Sequence, residues 1–174
     1  YDNVLILRQP DFALQRSVFL GGEVRYPGKY TLRTKSERLT DVITRAGGLT
    51  HEANPDGVEF YRPRGKLGRV GIDVPATLRN ARYRDNMILV DGDSIVVPAF
   101  TSVITVTGAV NQPTALTYVP GQDINYYIRA AGGGDRRADL GRAYVVQPNG
   151  RLQSVVRRRF LPDGLPEPRP GAKI

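Results

Sequence analysis

The stretch Gly22-Glu23-Val24-Arg25-Tyr26-Pro27-Gly28, followed by an amphipathic run that ends in Arg45-Ala46-Gly47-Gly48, decides how this chain is organised, because it occurs twice. The second copy reads Gly108-Ala109-Val110-Asn111-Gln112-Pro113-Thr114, and its run ends in Arg129-Ala130-Ala131-Gly132-Gly133. An internal repeat of this length indicates two successive domains of the same fold.

The length and composition of the chain agree with two small domains. Its 174 residues, 40% of them hydrophobic and 24% charged, are typical of a globular protein. A domain of roughly 80 residues can still bury a modest core. We therefore predict a first module at residues 17–100 and a second at 101–174. Residues 1–16 are interpreted as the end of a preceding domain or a linker.

Composition also narrows the chemistry. The absence of cysteine excludes disulfides, zinc–thiolate sites and thiol catalysis. His51 is the one histidine, which argues against metal sites built from several histidines and against Ser-His catalytic triads. The net charge of +8 and the pI of about 10.0 favour a polyanionic partner, which would be nucleic acid, acidic lipid or acidic polysaccharide.

Each module is predicted to open with a hairpin. In the first module the strands are placed at 18–24 and 30–32, and Pro27 with Gly28 supplies the turn between them. In the second module the corresponding strands are placed at 104–110 and 115–118.

A short helix is predicted after each hairpin. Ser36 is the expected N-cap of the first helix and Asp123 that of the second. Gly47 and Gly132 stand where a helix ends on a left-handed residue. One apolar stripe of the first helix is formed by residues at helical spacing, namely Leu39, Val42, Ile43 and Ala46.

Later strands complete the predicted α+β fold, two tandem β-grasp-like modules in which one helix covers a mostly β sheet. In the first module we predict strands at 58–62 and 69–74, one helical turn at 75–80, and a turn followed by a final strand within 89–98. In the second we predict strands at 143–147 and 152–156, joined by the turn Pro148-Asn149-Gly150. Residues 170–174 resemble the beginning of a closing strand, and the remainder of that strand is expected to be missing.

The ordered motifs resemble the SLBB family, the soluble-ligand-binding β-grasp modules of bacterial polysaccharide export proteins. The family pattern Gly-Glu-Val-x-x-Pro-Gly-x-Tyr is present at 22–30, Ala-Gly-Gly at 46–48, and Gly-Asp-x-Ile-x-Val-Pro at 92–98. The second copy departs from the pattern at Ala109 and Thr114. The positions to which we assign a structural role are Gly22, Pro27, Gly28, Gly47, Gly48, Gly92, Asp93, Gly108, Pro113, Gly132 and Gly133.

This resemblance implies the periplasmic part of a Wza-type outer-membrane polysaccharide export protein, which acts without catalysis and needs no cofactor or metal. It implies an oligomeric ring around an aqueous passage, attached to the outer membrane through segments outside these residues. The implied partners are the polysaccharide, further copies of the chain and an inner-membrane polysaccharide copolymerase and tyrosine kinase, but not nucleic acid. The alternative that the charge leaves open is a basic polyanion- or nucleic-acid-binding module.

Tyrosines and arginines are the candidate glycan-binding residues. Tyrosine rings can stack on sugars, and guanidinium groups can bind acidic groups. Tyr83, Tyr118, Tyr126 and Tyr127 could also stack on sugar rings, but most tyrosines are half-buried core residues. The candidates that we retain are Tyr26, Tyr61, Arg62, Arg136, Arg137, Arg157, Arg158 and Arg159.

Three motifs could indicate a phosphate site, a calcium site or a glycosidase carboxylate pair, and each also has a structural interpretation. The glycine pairs follow helices, so a helix C-cap is favoured over a phosphate cradle. Asp91-Gly92-Asp93 is interpreted as a turn, because a calcium loop needs further oxygen ligands. Glu23 with Glu52 or Glu59 could form a glycosidase pair. Nothing in the sequence marks these carboxylates as buried or shifted in pKa, so paired charges on a sheet are favoured.

Overall fold

Two separate hydrophobic cores organise the protein. A computed structural model describes residues 15–63, 65, 68–156 and 163–174. One core is built around Leu20, Phe60 and Ile95, and the other around Ile104, Tyr127 and Val145. The mixture of small sheets and short helices confirms the predicted α+β class with two tandem modules.

The first module contains a five-stranded sheet in the order β2-β1-β5-β3-β4. Strands β1 and β5 run parallel to each other, and the other neighbouring strands are antiparallel. The elements in chain order are β1 (Ser17–Gly22), β2 (Gly28–Thr31), α1 (Leu39–Arg45), β3 (Glu59–Arg62), β4 (Gly68–Val70), α2 (Val74–Arg79) and β5 (Ser94–Val97).

The second module repeats this plan with shorter strands. Its elements are β6 (Val103–Val106), β7 (Thr114–Thr117), α3 (Ile124–Ala130), β8 (Tyr144–Val146) and β9 (Leu152–Ser154). Residues 172–174 lie between the two hairpins, where Lys173 bridges Thr105 in parallel and Val146 in antiparallel fashion. Strand β5 has the same position in the first module, so this segment occupies the place predicted for the closing strand.

The start of α1 corrects one prediction. The N-cap is Arg38, not Ser36, and its backbone N–H donates to the Asp41 carboxylate over 2.8 Å. Arg38 also forms an antiparallel bridge with Ile88, which holds the chain extended up to the helix. Local capping rules do not take this long-range pairing into account. The helix therefore begins two residues later than predicted. Asp123, by contrast, caps α3 as predicted and accepts from the Tyr126 N–H at 3.1 Å.

The predicted apolar stripe of α1 is confirmed. Leu39, Val42, Ile43 and Ala46 are all buried against the sheet. Complete burial of a valine, leucine or isoleucine side chain stabilises a fold by about 1.5–3 kcal/mol. A seven-residue helix is too short to be stable alone, so this packing is what holds it.

The fourth strand is shorter than predicted, because a helix begins at its end. Asp73 accepts a hydrogen bond from the Ala76 N–H at 3.0 Å and caps α2, and Pro75 stands in the first turn. Proline is tolerated there since the first helical N–H groups have no partner within the helix. The strand therefore stops at Val70.

Backbone hydrogen bonds join the two motifs of each repeat. The Arg25 N–H donates to the Gly48 carbonyl at 3.1 Å, and the Tyr26 N–H donates to the Ala46 carbonyl at 3.0 Å. In the second module Asn111 and Gln112 donate in the same way to Gly133 and Ala131. The hairpin turn is thus fastened to the end of the helix, which explains why the two motifs occur as a pair.

Gly47 is required at this junction for two reasons. Its φ of +78° lies in the left-handed region, as a helix-ending glycine should. In addition, a Cβ at this position would approach the Arg25 Cβ to 3.0 Å and the Tyr26 ring to 3.1 Å. The interpretation of the glycine pairs as helix ends, and not as phosphate cradles, is supported by this geometry.

Candidate functional site

Two of the predicted stacking residues are solvent-exposed. Tyr26 is 67% exposed at the tip of the first hairpin, and Tyr61 is 52% exposed on the outer face of β3. Both rings are accessible to a ligand. They belong to different surfaces, because Tyr26 packs beside Gly47 whereas Tyr61 pairs across the sheet with Ser94 and Arg69.

Arg62 is placed differently from the prediction. Its side chain is only 13% exposed, and it forms a two-pronged ion pair with Asp93 through bonds of 2.9 and 2.7 Å. A further bond of 2.9 Å reaches the Ile88 carbonyl. Because these partners occupy the guanidinium, Arg62 is a structural residue that holds the Asp93 turn, and it leaves the set of candidate glycan-binding residues.

The remaining arginine candidates stand apart from the tyrosines. Arg136 and Arg137 are exposed in the loop after α3, where Arg137 lies 3.4 Å from the Asp135 carboxylate. Arg157, Arg158 and Arg159 lie outside the described residues. The described candidates therefore do not converge into one pocket.

Tyr127 belongs to the core of the second module and not to a sugar-stacking surface. It is fully buried, and its hydroxyl accepts from the Val119 N–H at 2.8 Å and donates to the Val119 carbonyl. Burial raises the pKa of this hydroxyl, although the Val119 N–H opposes the shift. Tyr118 and Tyr126 pack against the same core.

The outer face of the first sheet carries two exposed aromatic side chains. Phe19 on β1 is 48% exposed, and Tyr61 stands two strands away on the same face. The sequence pattern places Phe19 in a predicted strand, but Phe19 is not among the predicted binding residues. The signal was available in the alternation of β1, since Val18 and Leu20 point into the core and Phe19 must then point outward.

The two modules meet through hydrogen bonds and ion pairs. Asn149 in the turn between β8 and β9 bonds the Ile72 carbonyl, and Arg151 bonds the Gly71 carbonyl at 3.0 Å and the Asp85 carboxylate. Arg169 reaches Asp56 at 2.8 Å and Asp73 at 3.1 Å. These contacts join the second module to the segment between β4 and α2, to Asp56 before β3 and to Asp85 after α2.

Electrostatics at the junction follow from the position of Arg169 between two carboxylates. Burial alone would raise the pKa of Asp73, but hydrogen bonds from Ala76 and Arg169 hold it below its ordinary value. Burial alone would lower the pKa of Arg169, yet Asp56 and Asp73 raise it. Both shifts favour the charged forms, so this is an ion pair and not a proton-transfer site.

A cleft of about 800 Å³ lies beside this junction. Asp56, Pro75 and Arg79 line it from the first module, and Tyr118 and Gln153 line it from the second. Arg169 on its wall is already held by two carboxylates, whereas Arg79, another cation that lines the cleft, is exposed.

The carboxylates considered for glycosidase chemistry have separate structural partners. Glu23 accepts from the Thr50 hydroxyl at 2.6 Å, and Glu59 pairs with Arg69 at 3.1 Å. Glu52 is mostly exposed beside His51. Within residues 15–63, 65, 68–156 and 163–174, no group of three or more His, Cys, Asp or Glu residues could hold a metal ion.

Within the same described part of the chain, no helix has the length and apolar character needed to cross a bilayer.

The fold defines the class of protein as one built from two tandem β-grasp-like modules, and sequence comparison identifies its family. SLBB domain profiles match residues 16–97 and residues 103–156. Together these segments cover well over half of the chain, and the chain belongs to the SLBB domain family.

Two curated relatives from Escherichia coli carry the same description, "Polysialic acid transport protein KpsD". Each is 35% identical over 66 residues, which is 38% of this chain and 12% of the relative. The alignment therefore spans about an eighth of the length of these relatives, and it establishes similarity to one part of them only.

Proposed function

We propose that this chain is the periplasmic SLBB portion of a bacterial polysaccharide export protein and forms part of an oligomeric, non-catalytic outer-membrane ring. The observation that carries the proposal is the pair of tandem SLBB domains in a chain similar to a polysialic acid transport protein. The proposed partners are the exported polysaccharide, further copies of the chain and an inner-membrane polysaccharide copolymerase with its tyrosine kinase.

The use of the motif residues supports a scaffold role. The Gly-Glu-Val and Ala-Gly-Gly segments are joined by backbone hydrogen bonds, and Asp93 is occupied by Arg62. Glu23 and Glu59 are held by Thr50 and Arg69 respectively. A sugar-active enzyme would need two acids that converge in a cleft with shifted pKa values.

The junction between the modules supports a stacked arrangement. A ring built from tandem modules needs each pair to keep a constant orientation, because an error in one joint is repeated in every copy. The bonds of Asn149, Arg151 and Arg169 supply several fixed points between the modules.

The proposal is tested in cells that carry the full gene. An in-frame deletion of the codons for residues 17–174 should abolish surface polysaccharide and leave polymer in the periplasm. Immunoblots of the periplasm and outer membrane must show that the shortened protein is still made. Unchanged surface polysaccharide in that strain would contradict the proposal.

A polyanion- or nucleic-acid-binding module is the second candidate, favoured by the net charge of +8. Such binding would weaken steeply as salt is raised. However, Arg45, Arg62, Arg151 and Arg169 are paired with carboxylates, which removes part of the charge from a binding face. Salt-dependent, sequence-independent DNA binding at physiological ionic strength would favour this candidate over export.

A further inference from the structure

The register of the first sheet aligns five side chains in one row across its outer face. Phe19 is opposite Lys29 on one side and opposite Ser94 on the other. Tyr61 is opposite Ser94 and, on its far side, Arg69. The order across the sheet is therefore Lys29, Phe19, Ser94, Tyr61 and Arg69, which we call the Phe19–Tyr61 row.

The two rings of the Phe19–Tyr61 row are spaced apart and do not stack on each other. Two strand spacings separate Phe19 from Tyr61, a distance of about 10 Å between the backbones. The short side chain of Ser94 stands between them and leaves both rings open to a ligand. Such spacing suits an elongated molecule that contacts one ring and then the other.

Gly21 allows the Phe19 ring to lie along the strand. A Cβ on Gly21 would stand 2.7 Å from Cε1 and 2.8 Å from Cζ of Phe19, so the ring covers the space where a side chain would be. Gly21 is buried as a result, whereas Phe19 stays half exposed. The ring thus rests on the sheet and offers its outer surface to solvent as a flat apolar platform.

The charges of the row are cationic at both ends. Lys29 is exposed and makes no ion pair with any other described residue. Arg69 is about half exposed and donates to Glu59 and to the Pro148 carbonyl. An acidic group would therefore be favoured at the Lys29 end, where no described carboxylate neutralises the ammonium group.

The second module provides an internal comparison, because its corresponding row has no aromatic residue. Its register aligns Ala115 with Thr105, Thr105 with Lys173, Lys173 with Val146, and Val146 with Leu152. Thr105 and Val146 therefore replace Phe19 and Tyr61, and Thr107 stands at the position of Gly21. The platform is not a requirement of the fold, since the repeat folds without it.

We infer that the Phe19–Tyr61 row binds a linear acidic saccharide, with sugar rings packed on Phe19 and Tyr61 and a carboxylate near Lys29. This inference rests on the proposed export function, which supplies a polysaccharide, and it adds that the polysaccharide is linear and acidic. Two separated platforms and few polar contacts give weak binding, which suits a polymer that must move on. The row would then be a sliding contact on one module and absent from the other.

The test measures binding to the isolated chain by NMR titration of the ¹⁵N-labelled protein with a sialic acid hexamer, and with maltohexaose as a neutral probe. The hexamer should shift the amides of Phe19, Tyr61 and Lys29. The double variant Phe19→Leu/Tyr61→Leu keeps apolar cover over Gly21 but removes both rings, so Kd should rise by about tenfold. Lys29→Gln should weaken the acidic probe several-fold and leave the neutral probe unchanged.

Tyr144→Leu is the matched control, because Tyr144 is an equally exposed aromatic on a strand of the second module. It should leave Kd within about twofold of the original value. Thermal melts must show that the double variant is folded. Equal affinity in the double variant, shifts confined to other surfaces, or no binding of either hexamer at millimolar concentration would each overturn the inference.

Sedimentation shows whether the Phe19–Tyr61 row binds a second copy of the chain instead of a saccharide. If the intact chain dimerises and Phe19→Leu/Tyr61→Leu abolishes the dimer, the row is a protein contact and the inference is wrong. None of these outcomes alters the proposed function, which is tested separately by the deletion of residues 17–174 and by the DNA-binding measurement.

Discussion

The side-chain amide of Asn149 in the second module donates a hydrogen bond of 2.8 Å to the carbonyl oxygen of Ile72 in the first, and both residues are only 2% exposed. The bond places a turn of one module against the end of a strand in the other. Arg151, two residues later, donates to the adjacent Gly71 carbonyl. A turn that joins two short strands is therefore also the joint between the modules.

Asn149→Ala should lower the free energy of unfolding by about 1–2 kcal/mol, because the buried Ile72 carbonyl loses its partner. The variant should also uncouple the modules, so that a single thermal transition broadens or divides into two. Differential scanning calorimetry measures both effects.

Asn111→Ala is the matched control for this substitution. Asn111 also donates to backbone carbonyls, those of Gly132 and Gly134, but it is exposed and acts within one module. Its replacement should leave the modules coupled. If Asn149→Ala and Asn111→Ala gave the same calorimetric profile, the joint would not depend on Asn149.

Asp73 should contribute to stability in a pH-dependent way. Its pKa in the folded protein is lowered below 3.8, so its contribution is complete above about pH 5 and is lost as the pH falls through 4 and below. Asp73→Asn can still cap α2 but cannot pair with Arg169. Urea unfolding at pH 3 to 7 should show a smaller acid-induced loss of stability in the variant than in the original chain.

The control for the pH experiment is Asp139→Asn, which removes an exposed carboxylate that pairs with Arg142 on the surface. This variant should follow the pH dependence of the unmodified chain closely. An Asp73→Asn profile that superimposes on the original one would show that the Arg169 pair makes no net contribution.

Gly47→Ala should destabilise the first module more than Gly48→Ala. Both glycines have positive φ, +78° and +82°, so each substitution carries the left-handed backbone strain of about 1 kcal/mol. Only at Gly47 would the new Cβ meet Arg25 and Tyr26, since no atom lies within 4 Å of the Cβ position at Gly48. The difference in melting temperature between the two alanine variants measures the destabilisation caused by the steric contact of the new Cβ with the hairpin. Gly47→Val should lower the melting temperature more than either alanine variant. Equal melting temperatures for the two alanine variants would contradict the close contact with the hairpin.

Asp93→Ala should be among the most damaging single changes in the first module. It removes a fully buried carboxylate from Arg62 and from the Val90 N–H, and an unpaired buried arginine costs about 3–5 kcal/mol. Glu59→Ala breaks the exposed pair with Arg69 and should cost under about 1 kcal/mol. Urea denaturation of both variants measures the contrast, and similar values would argue against a structural role for the Arg62–Asp93 pair.

Local sequence patterns were sufficient for much of the architecture. The repeat, the apolar stripe of α1, the Asp123 cap and the left-handed Gly47 were predictable, because each depends on neighbours within a few residues. The N-cap of α1 was not predictable in this way, since the pairing of Arg38 with Ile88 joins residues that are far apart in the chain.

The candidate binding surface was only partly predictable. Tyr61 could be proposed from its residue type, and Arg62, its neighbour, was proposed with it on the same grounds. The alternation of a strand sends adjacent side chains to opposite faces, so Tyr61 is exposed while Arg62 turns toward Asp93. The residue type of Arg62 does not show whether its guanidinium is available to a ligand, because that depends on its partner Asp93, which is distant in the sequence.

The sequence by itself determined that two sheet-and-helix modules follow one another, because repeat, periodicity and turn glycines act locally. Only the tertiary structure decided that Phe19 and Tyr61 share one row and that Asn149 holds Ile72 across the modules. The reason is physical: register and domain contact are set by pairing between distant segments, which depends on how both cores pack and not on any single stretch of residues.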